Sequence, residues 1–128
     1  MITLALLKLL EDNNLGEIDK DLFWQNIGLD SDGVYIVNVG QAQPRGTRRV
    51  QRYELYSRSK SKLEGLQKLE AIIDFINGSY QLCSLPAVKE YGVNSFDNIT
   101  LLPLSTPTRV GEDINGRIVW STSGNIIY

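Results

Sequence analysis

The sequence predicts an α+β domain in which two main helices cover one face of a mostly antiparallel β-sheet. Three features predict this class. Residues 50–78 have the pattern of a strand, a short turn and an amphipathic helix, residues 34–39 are rich in β-branched side chains, and Asn115-Gly116 separates two strand-like segments. The predicted order is helix, two strands, helix and then three strands. The length of 128 residues fits a single domain, residues 1–128.

The first half of the chain begins with a predicted helix over residues 2–11. Its apolar side is formed by Ile2, Leu6, Leu9 and Leu10, and the polar sequence that follows ends it. Residues 22–27 are either a short strand or a packed loop, and residues 34–39 have the composition of a central strand. That strand forms a predicted hairpin with residues 50–57. The connection over residues 41–49 is expected to be an exposed, mobile loop, because it has no large apolar side chain before Val50.

The second helix is the clearest element of the sequence. Ser61 and Glu64 have the spacing of a capping box, and Asn77-Gly78 is typical of a helix end. Between them, one apolar stripe has helical spacing and consists of Leu63, Leu66, Leu69, Ile72, Ile73 and Ile76. We expect Leu66, Ile73 and Ile76 to lie in the core.

The remaining strands are predicted to be short. Residues 79–85 form a strand that Pro86 ends, residues 87–97 form a connector, and residues 99–104 form a further strand. In the tail, Asn115-Gly116 and Ser123-Gly124 are expected to be turns. They separate strand-like segments at residues 109–114, 117–121 and 125–128.

The composition gives no support to an enzyme. The chain has no histidine, which is the commonest general base and metal ligand, and its one cysteine, Cys83, has the pattern of a buried thiol. Neighbouring carboxylates such as Glu112 and Asp113 lie at turns or element ends, where capping is their usual role. No glycine-rich phosphate loop is present. We therefore expect no catalytic residue, no cofactor and no metal site.

The apolar run near the N-terminus is too short to span a membrane and has no signal-peptide pattern. We therefore expect a mature cytosolic protein with no membrane partner.

Charge is unevenly distributed along the chain. Residues 41–62 carry a net charge of +6, and the rest of the chain carries −8. Three interpretations remain open: a nucleic-acid face, a docking surface between copies of the chain, and a solvated loop. For the first of these, Tyr53 and Tyr56 are candidates for stacking on bases. The candidate partner-binding residues are Arg45, Arg48, Arg49 and Arg52.

The layout of the chain resembles that of the small tail terminator proteins of long-tailed bacteriophages. These are also known as minor capsid or head–tail joining proteins. The resemblance is carried by the N-terminal ITLALLKLLEDNNLG, the basic hairpin leading to RYELYSRSKS, the helix end AIIDFING, and the tail STPTRVGEDINGRIVWSTSGNIIY. Together these segments span nearly the whole chain.

The resemblance implies a non-enzymatic virion assembly protein. Such a protein is assembled in the host cytoplasm and closes the head-proximal end of the tail tube as a ring, generally of six subunits. Its partners are the tail tube protein, the head connector protein and further copies of itself, while DNA passes through the ring without specific binding. The alternative from the residues alone is a small nucleic-acid-binding protein that uses the arginine-rich hairpin.

Overall fold

The computed structural model describes residues 1–28, 31–46, 48–78 and 82–128, with the backbone alone for residues 41–45 and 82. These residues form two α-helices, one short 3-10 helix and a seven-stranded sheet. The elements are α1 (Ile2–Asp12), β1 (Leu22–Trp24), β2 (Gly33–Arg45), β3 (Arg48–Ser59), α2 (Lys62–Gly78), β4 (Leu82–Leu85), the 3-10 helix (Lys89–Tyr91), β5 (Phe96–Leu101), β6 (Thr108–Glu112) and β7 (Ile118–Ile127). The protein therefore belongs to the α+β class.

The sheet is mixed but mostly antiparallel, in the order β1-β2-β3-β7-β5-β4. Only the β1–β2 pair is parallel among the described strands. One edge of β7 pairs along its whole length with β3. The other edge is shared, since β5 pairs with Ile126 and Ile127 while β6 pairs with the part that includes Ser121 and Ile118.

Both helices pack on the same face of the sheet. Alternate residues of the central strands, such as Ile36 of β2 and Leu55 of β3, point toward the helices and belong to one apolar core with residues of α1 and α2. The opposite face carries Tyr35, Arg52 and Tyr56, and no described helix covers it. We call this uncovered surface the open face. No helix in the described ranges has the length and apolar character needed to cross a bilayer.

α1 is buried more completely than a one-sided stripe requires. Besides Ile2, Leu6 and Leu10, it also buries Leu4 and Leu7. The one polar residue among these buried positions, Thr3, is satisfied by hydrogen bonds: its hydroxyl donates to Asn38 Oδ1 (2.7 Å) and accepts from Trp24 Nε1 (2.9 Å). This network joins the first turn of α1 to β1 and β2, and a buried hydroxyl without such partners would destabilise the fold.

α2 confirms most of the predicted stripe. Ile76 is fully buried and Ile73 nearly so, whereas Leu66 is only half-buried and Leu63 is 64% exposed. The expectation that Leu66 lies in the core is therefore wrong, because Gly65 occupies the helix surface nearest the sheet. A Cβ built on Gly65 would lie 3.2 Å from the Cβ of Ser59.

The N-terminus of α2 makes half of the predicted capping box. The hydroxyl of Ser61 accepts from the backbone N–H of Glu64 (3.3 Å), but the N–H of Ser61 donates to the hydroxyl of Ser59 (3.1 Å) instead of to the Glu64 carboxylate.

The loop predicted over residues 41–49 is instead mostly strand. β2 continues to Arg45 and β3 begins at Arg48, with Ala42 paired with Val50. Two register shifts along β2 accommodate this continuation, and the part that includes Pro44 lies at the second of them. The hairpin therefore ends in a tight turn at Gly46, and Thr47 lies outside the described residues.

The predicted turn at Ser123-Gly124 is also wrong, since β7 runs through it without interruption. Gly124 faces the helices opposite Tyr53, and a Cβ at this position would lie 2.7 Å from Tyr53 Oη and still closer to Leu104. Here glycine provides space for two buried side chains rather than a bend. By contrast, Asn115-Gly116 does form the turn between β6 and β7, as predicted.

Replacement of a buried residue of α2 should separate the core from the surface of this helix. Ile76→Ala should lower the free energy of unfolding by about 2–5 kcal/mol, because it leaves a cavity. The matched variant Leu63→Ala should change it by less than about 0.5 kcal/mol. Urea unfolding followed by circular dichroism measures both values, and equal losses would contradict the helix orientation.

The packing role of Gly124 predicts a second stability difference. Gly124→Ala should destabilise the protein by about 1–3 kcal/mol, because Tyr53 and Leu104 must move away from the added methyl group. Gly78→Ala is the control, since no described atom outside the local helix turn lies within 4 Å of a Cβ built there. A Gly124→Ala variant as stable as this control would show that the site is loosely packed.

Candidate functional site

The four arginines predicted to bind a partner lie at one end of the β2–β3 hairpin. Arg45 of β2 pairs with Arg48 of β3, and Arg49 and Arg52 follow on β3. We call residues 41–52 the basic hairpin end, because this segment has four arginines and no acidic residue. The side chain of Arg45 lies outside the described part, so the structure addresses the other three.

Arg48 has a structural role. Its half-buried guanidinium donates to the backbone carbonyls of Asn98 and Ile127, the latter at 3.2 Å. These hydrogen bonds join the beginning of β3 to β5 and to the end of β7. A side chain held in this way by two carbonyls is less free to bind a partner.

Arg49 and Arg52 remain available for contacts. Both side chains are exposed, and among the described residues neither guanidinium makes a hydrogen bond or an ion pair. The backbone of Arg49 pairs with Tyr128 through two hydrogen bonds, of 2.7 and 2.9 Å. The backbone is thus fixed while the two charged side chains extend into solvent.

Arg58 does not contribute to a charged surface, although it belongs to the same basic segment. It is buried at the far end of β3, where it donates to the carbonyls of Gly28 and Ser31 and lies 3.7 Å from the carboxylate of Asp113. The charge excess read from the sequence therefore overstates the exposed charge.

Arg117 is a second buried arginine near Arg58, and sequence reasoning missed it. Its Nε donates to Asp32 Oδ1 at 2.7 Å. Arg58 and Arg117 together hold the segment before β2 and the β6–β7 turn against the sheet. The sequence gives no signal for this role, because the partners lie far away along the chain.

Asp113 organises that turn. Its Oδ1 accepts from the backbone N–H groups of Asn115 and Arg117, both at 2.9 Å. The hydrogen bond from the N–H of Arg117 is the main cause that lowers the pKa of Asp113. The N–H of Asn115 and the nearby Arg58 guanidinium lower this pKa further. Asp113 therefore has the capping role that its position at a turn predicts, and its carboxylate is engaged within its own chain.

Two tyrosines stack on each other on the open face. The rings of Tyr35 and Tyr56 are 5.0 Å apart and inclined by 13°. The hydroxyl of Tyr56 donates to the Glu54 carboxylate, and this hydrogen bond raises the pKa of Tyr56 to about 12. Tyr53, the other candidate for base stacking, is 1% exposed and faces the helices. Its ring is therefore unable to stack on a nucleic-acid base.

An acidic groove runs along the exposed side of α2. Its volume is about 290 Å³. The lining residues are Glu70, Ile73, Asp74, Asn77, Leu104, Ser105, Thr106 and Pro107.

Ile73 and Leu104 form an apolar floor in this acidic groove, and each is less than 10% exposed. The carboxylates of Glu70 and Asp74 lie in solvent at its rim, where neither has a hydrogen bond or ion pair with any described residue.

Hydrogen bonds fix both walls of the acidic groove. Asn77 Oδ1 accepts from the backbone N–H of Leu104 at 2.7 Å, which joins α2 to the segment after β5. On the other side, the Thr122 hydroxyl donates to the Ser105 carbonyl at 2.6 Å. The groove is therefore preformed, and its two free carboxylates need no rearrangement to meet a cation.

A larger cavity, of about 350 Å³, lies beside the end of α1, and most of its charged groups already have partners within the fold. Lys8 donates to Glu11 at 2.8 Å, Glu11 also accepts from the N–H of Ile18, and Tyr91 donates to Asp19. The hydrogen bond from Lys8 and that from Ile18 lower the pKa of Glu11. These contacts join α1 to the loops that follow it, which is a structural role.

The described residues contain no group of three or more His, Cys, Asp or Glu side chains able to hold a metal ion. Cys83 is half-buried, and burial raises the pKa of its thiol. The thiolate, which is the nucleophilic form, is therefore disfavoured at this position.

No protein-family model matches the sequence, and no curated protein matches it.

The turn held by Asp113 predicts a pH-dependent stability. Asp113→Asn keeps an acceptor oxygen but removes the charge, so the variant should unfold more easily than the wild type at neutral pH. Because the folded-state pKa of Asp113 is lowered, this contribution is present above the ordinary value of 3.8 and is lost as the pH falls through the lowered value. The two unfolding curves should therefore converge in acid.

Urea unfolding at a series of pH values measures this convergence. Asp74→Asn is the control, since its carboxylate has no described partner, and it should leave neutral-pH stability unchanged. A difference between Asp113→Asn and wild type that stays constant down to low pH would mean that the charge of Asp113 does not hold the turn.

Proposed function

We propose that this protein is a non-enzymatic phage virion assembly protein of the tail terminator kind. It closes the head-proximal end of the tail tube as a ring and joins the tube to the head connector. The observation that carries the proposal is the separation of two exposed surfaces of opposite charge on one rigid fold. The basic hairpin end carries Arg49 and Arg52, and the acidic groove carries Glu70 and Asp74.

Two different complementary surfaces are what a ring requires. In a head-to-tail ring every subunit presents one patch to the subunit before it and another to the subunit after it. A symmetric dimer needs only one self-complementary patch. The opposite charges of the basic hairpin end and the acidic groove therefore support a ring more than an isolated dimer, and charge complementarity also selects the correct partner.

The open face provides further area for the tail tube protein or the head connector. It carries the stacked pair Tyr35 and Tyr56 with Arg52 nearby on β3. Tyrosine and arginine are enriched among the residues that contribute most to protein interfaces. In addition, residues 37–45 of β2 pair with no strand other than β3 within the described ranges, which leaves a strand edge open to a partner.

A nucleic-acid-binding protein is the second candidate. The observation in its favour is that Arg52 and Tyr56 both lie on the open face, with Glu54 between them on β3. A phosphate contact by Arg52 and base stacking on Tyr56 would then fall on one surface. Against it, Arg48 and Arg58 are engaged within the fold, Tyr53 is buried, and the chain carries a net charge of −2. Few free cations then remain to neutralise phosphates.

The mass of the purified protein in solution tests the proposed function. Analytical ultracentrifugation over a concentration series should show one closed oligomer, and negative-stain electron microscopy should show annular particles with an open centre. The same protein should bind duplex and single-stranded DNA only weakly, with binding lost as salt rises toward physiological strength. A monomer that binds DNA tightly at physiological salt would contradict the ring and support the second candidate.

A further inference from the structure

We propose that the acidic groove of one subunit receives the open-face side of the basic hairpin end of the next copy of the chain, with Arg52 meeting Glu70 and Asp74. Arg49 lies on the other side of β3, with Tyr53, and is not part of this contact. This inference rests on the proposed ring and adds the contact that builds it. It identifies a specific pair of surfaces, which the charge pattern of the sequence alone does not provide.

The shape and chemistry of the groove fit an arginine side chain. An arginine has an apolar methylene stem and a planar charged head that binds carboxylates through two hydrogen bonds. The acidic groove offers the matching parts in the same order. Ile73 and Leu104 form an apolar floor for the stem, and the carboxylates of Glu70 and Asp74 lie at the rim for the guanidinium. Its volume of about 290 Å³ suits side chains rather than a large ligand.

The occupant has to come from another copy. Arg52 lies on the open face, because it alternates with the helix-facing Tyr53 along β3. The acidic groove lies on the opposite, helix-covered side, where Leu104 approaches Gly124. The sheet therefore separates Arg52 from the groove of its own chain. This placement on opposite sides of the sheet favours a head-to-tail contact over a reciprocal two-fold contact, and repetition of a head-to-tail contact closes a ring when the rotation between subunits allows it.

The cavity beside α1 is a weaker docking site for the same arginine. Two of its three carboxylates, Glu11 and Asp19, already accept hydrogen bonds from Lys8, Ile18 and Tyr91, so an incoming cation would have to displace these donors. Glu70 and Asp74 have no such described partners to give up. Electrostatic attraction therefore favours the acidic groove.

A reciprocal charge swap in the full-length protein tests this contact. One variant carries Arg52→Glu, and the other carries Glu70→Lys and Asp74→Lys. Each variant alone should self-associate about a hundredfold more weakly than the wild type, because like charges then meet across the contact. When the two are mixed, the Glu side chain of the first faces the Lys side chains of the second, while the native Arg52 of the second faces the native carboxylates of the first. The mixture should therefore recover the wild-type mass with alternating subunits, as an even-numbered ring permits.

Two matched controls keep the net charge changes equal. Lys60→Glu alters one exposed basic residue outside the basic hairpin end, and Asp12→Lys with Glu90→Lys alters two exposed acids outside the acidic groove. Both controls should assemble as the wild type does. Circular dichroism and urea unfolding establish that every variant is folded, and sedimentation measures its assembly.

The outcomes separate this contact from the proposed function. If the wild type forms rings and the charge variants assemble equally well, the proposed contact is wrong while the ring remains supported. If each variant fails alone and the mixture does not recover, the two surfaces do not face each other. A wild type that stays monomeric at every concentration overturns the assignment of a second copy as the occupant.

Discussion

The pairing of β3 with β7 is the constraint on which the rest of the structure depends. The two strands pair without a shift from Val50–Ile127 to Ser59–Ile118. This ladder lies in the middle of the sheet, with the β2 hairpin on one side and β5 and β6 sharing the other. It also sets which side chains face the helices, because a shift of one residue would turn Tyr53 and Leu55 to the opposite face. The absence of a side chain at Gly124 lets Tyr53 and Leu104 pack over the ladder.

Covering only one face of this sheet has consequences for function. The main apolar core lies between the helices and the sheet, so exposed residues of the open face such as Arg52 remain available for contacts. The same arrangement places the acidic groove on one side of the sheet and Arg52 on the other. A subunit with distinct surfaces on its two sides is suited to a head-to-tail assembly, whereas a pocket for chemistry would bring reactive groups together on one side.

The sequence predicted the elements whose signals are local. The α+β class, α1, the stripe of α2 around Ile73 and Ile76, and the turn at Asn115-Gly116 all follow from spacing over a few residues, and the structure confirms them. Gly124 was misread, since a glycine that provides space for distant side chains has the same appearance in sequence as one that forms a turn. The connection over residues 41–49 was also predicted wrongly, as a loop. Backbone pairing between β2 and β3 continues through it, although its polar residues have no strand propensity of their own.

The candidate site was only partly predictable. Composition located the basic segment, but charge in a sequence does not reveal its partner. Arg48 and Arg58 are engaged by backbone carbonyls of residues distant along the chain, while Arg49 and Arg52 on the same strand are exposed. The acidic groove was not predicted, because it forms only when the segment after β5 packs against α2 through Asn77. Such a site depends on tertiary contacts rather than on local pattern.

Hydrogen–deuterium exchange, compared between dilute and assembled protein, tests the central claim most directly. The claim is that two separate surfaces, the basic hairpin end and the acidic groove, become buried together when copies associate. Peptides covering residues 41–52, 70–77 and 104–107 should all gain protection upon assembly, while peptides from the buried first turns of α1 should not change. Protection confined to only one of the two surfaces, or found elsewhere, would contradict the account.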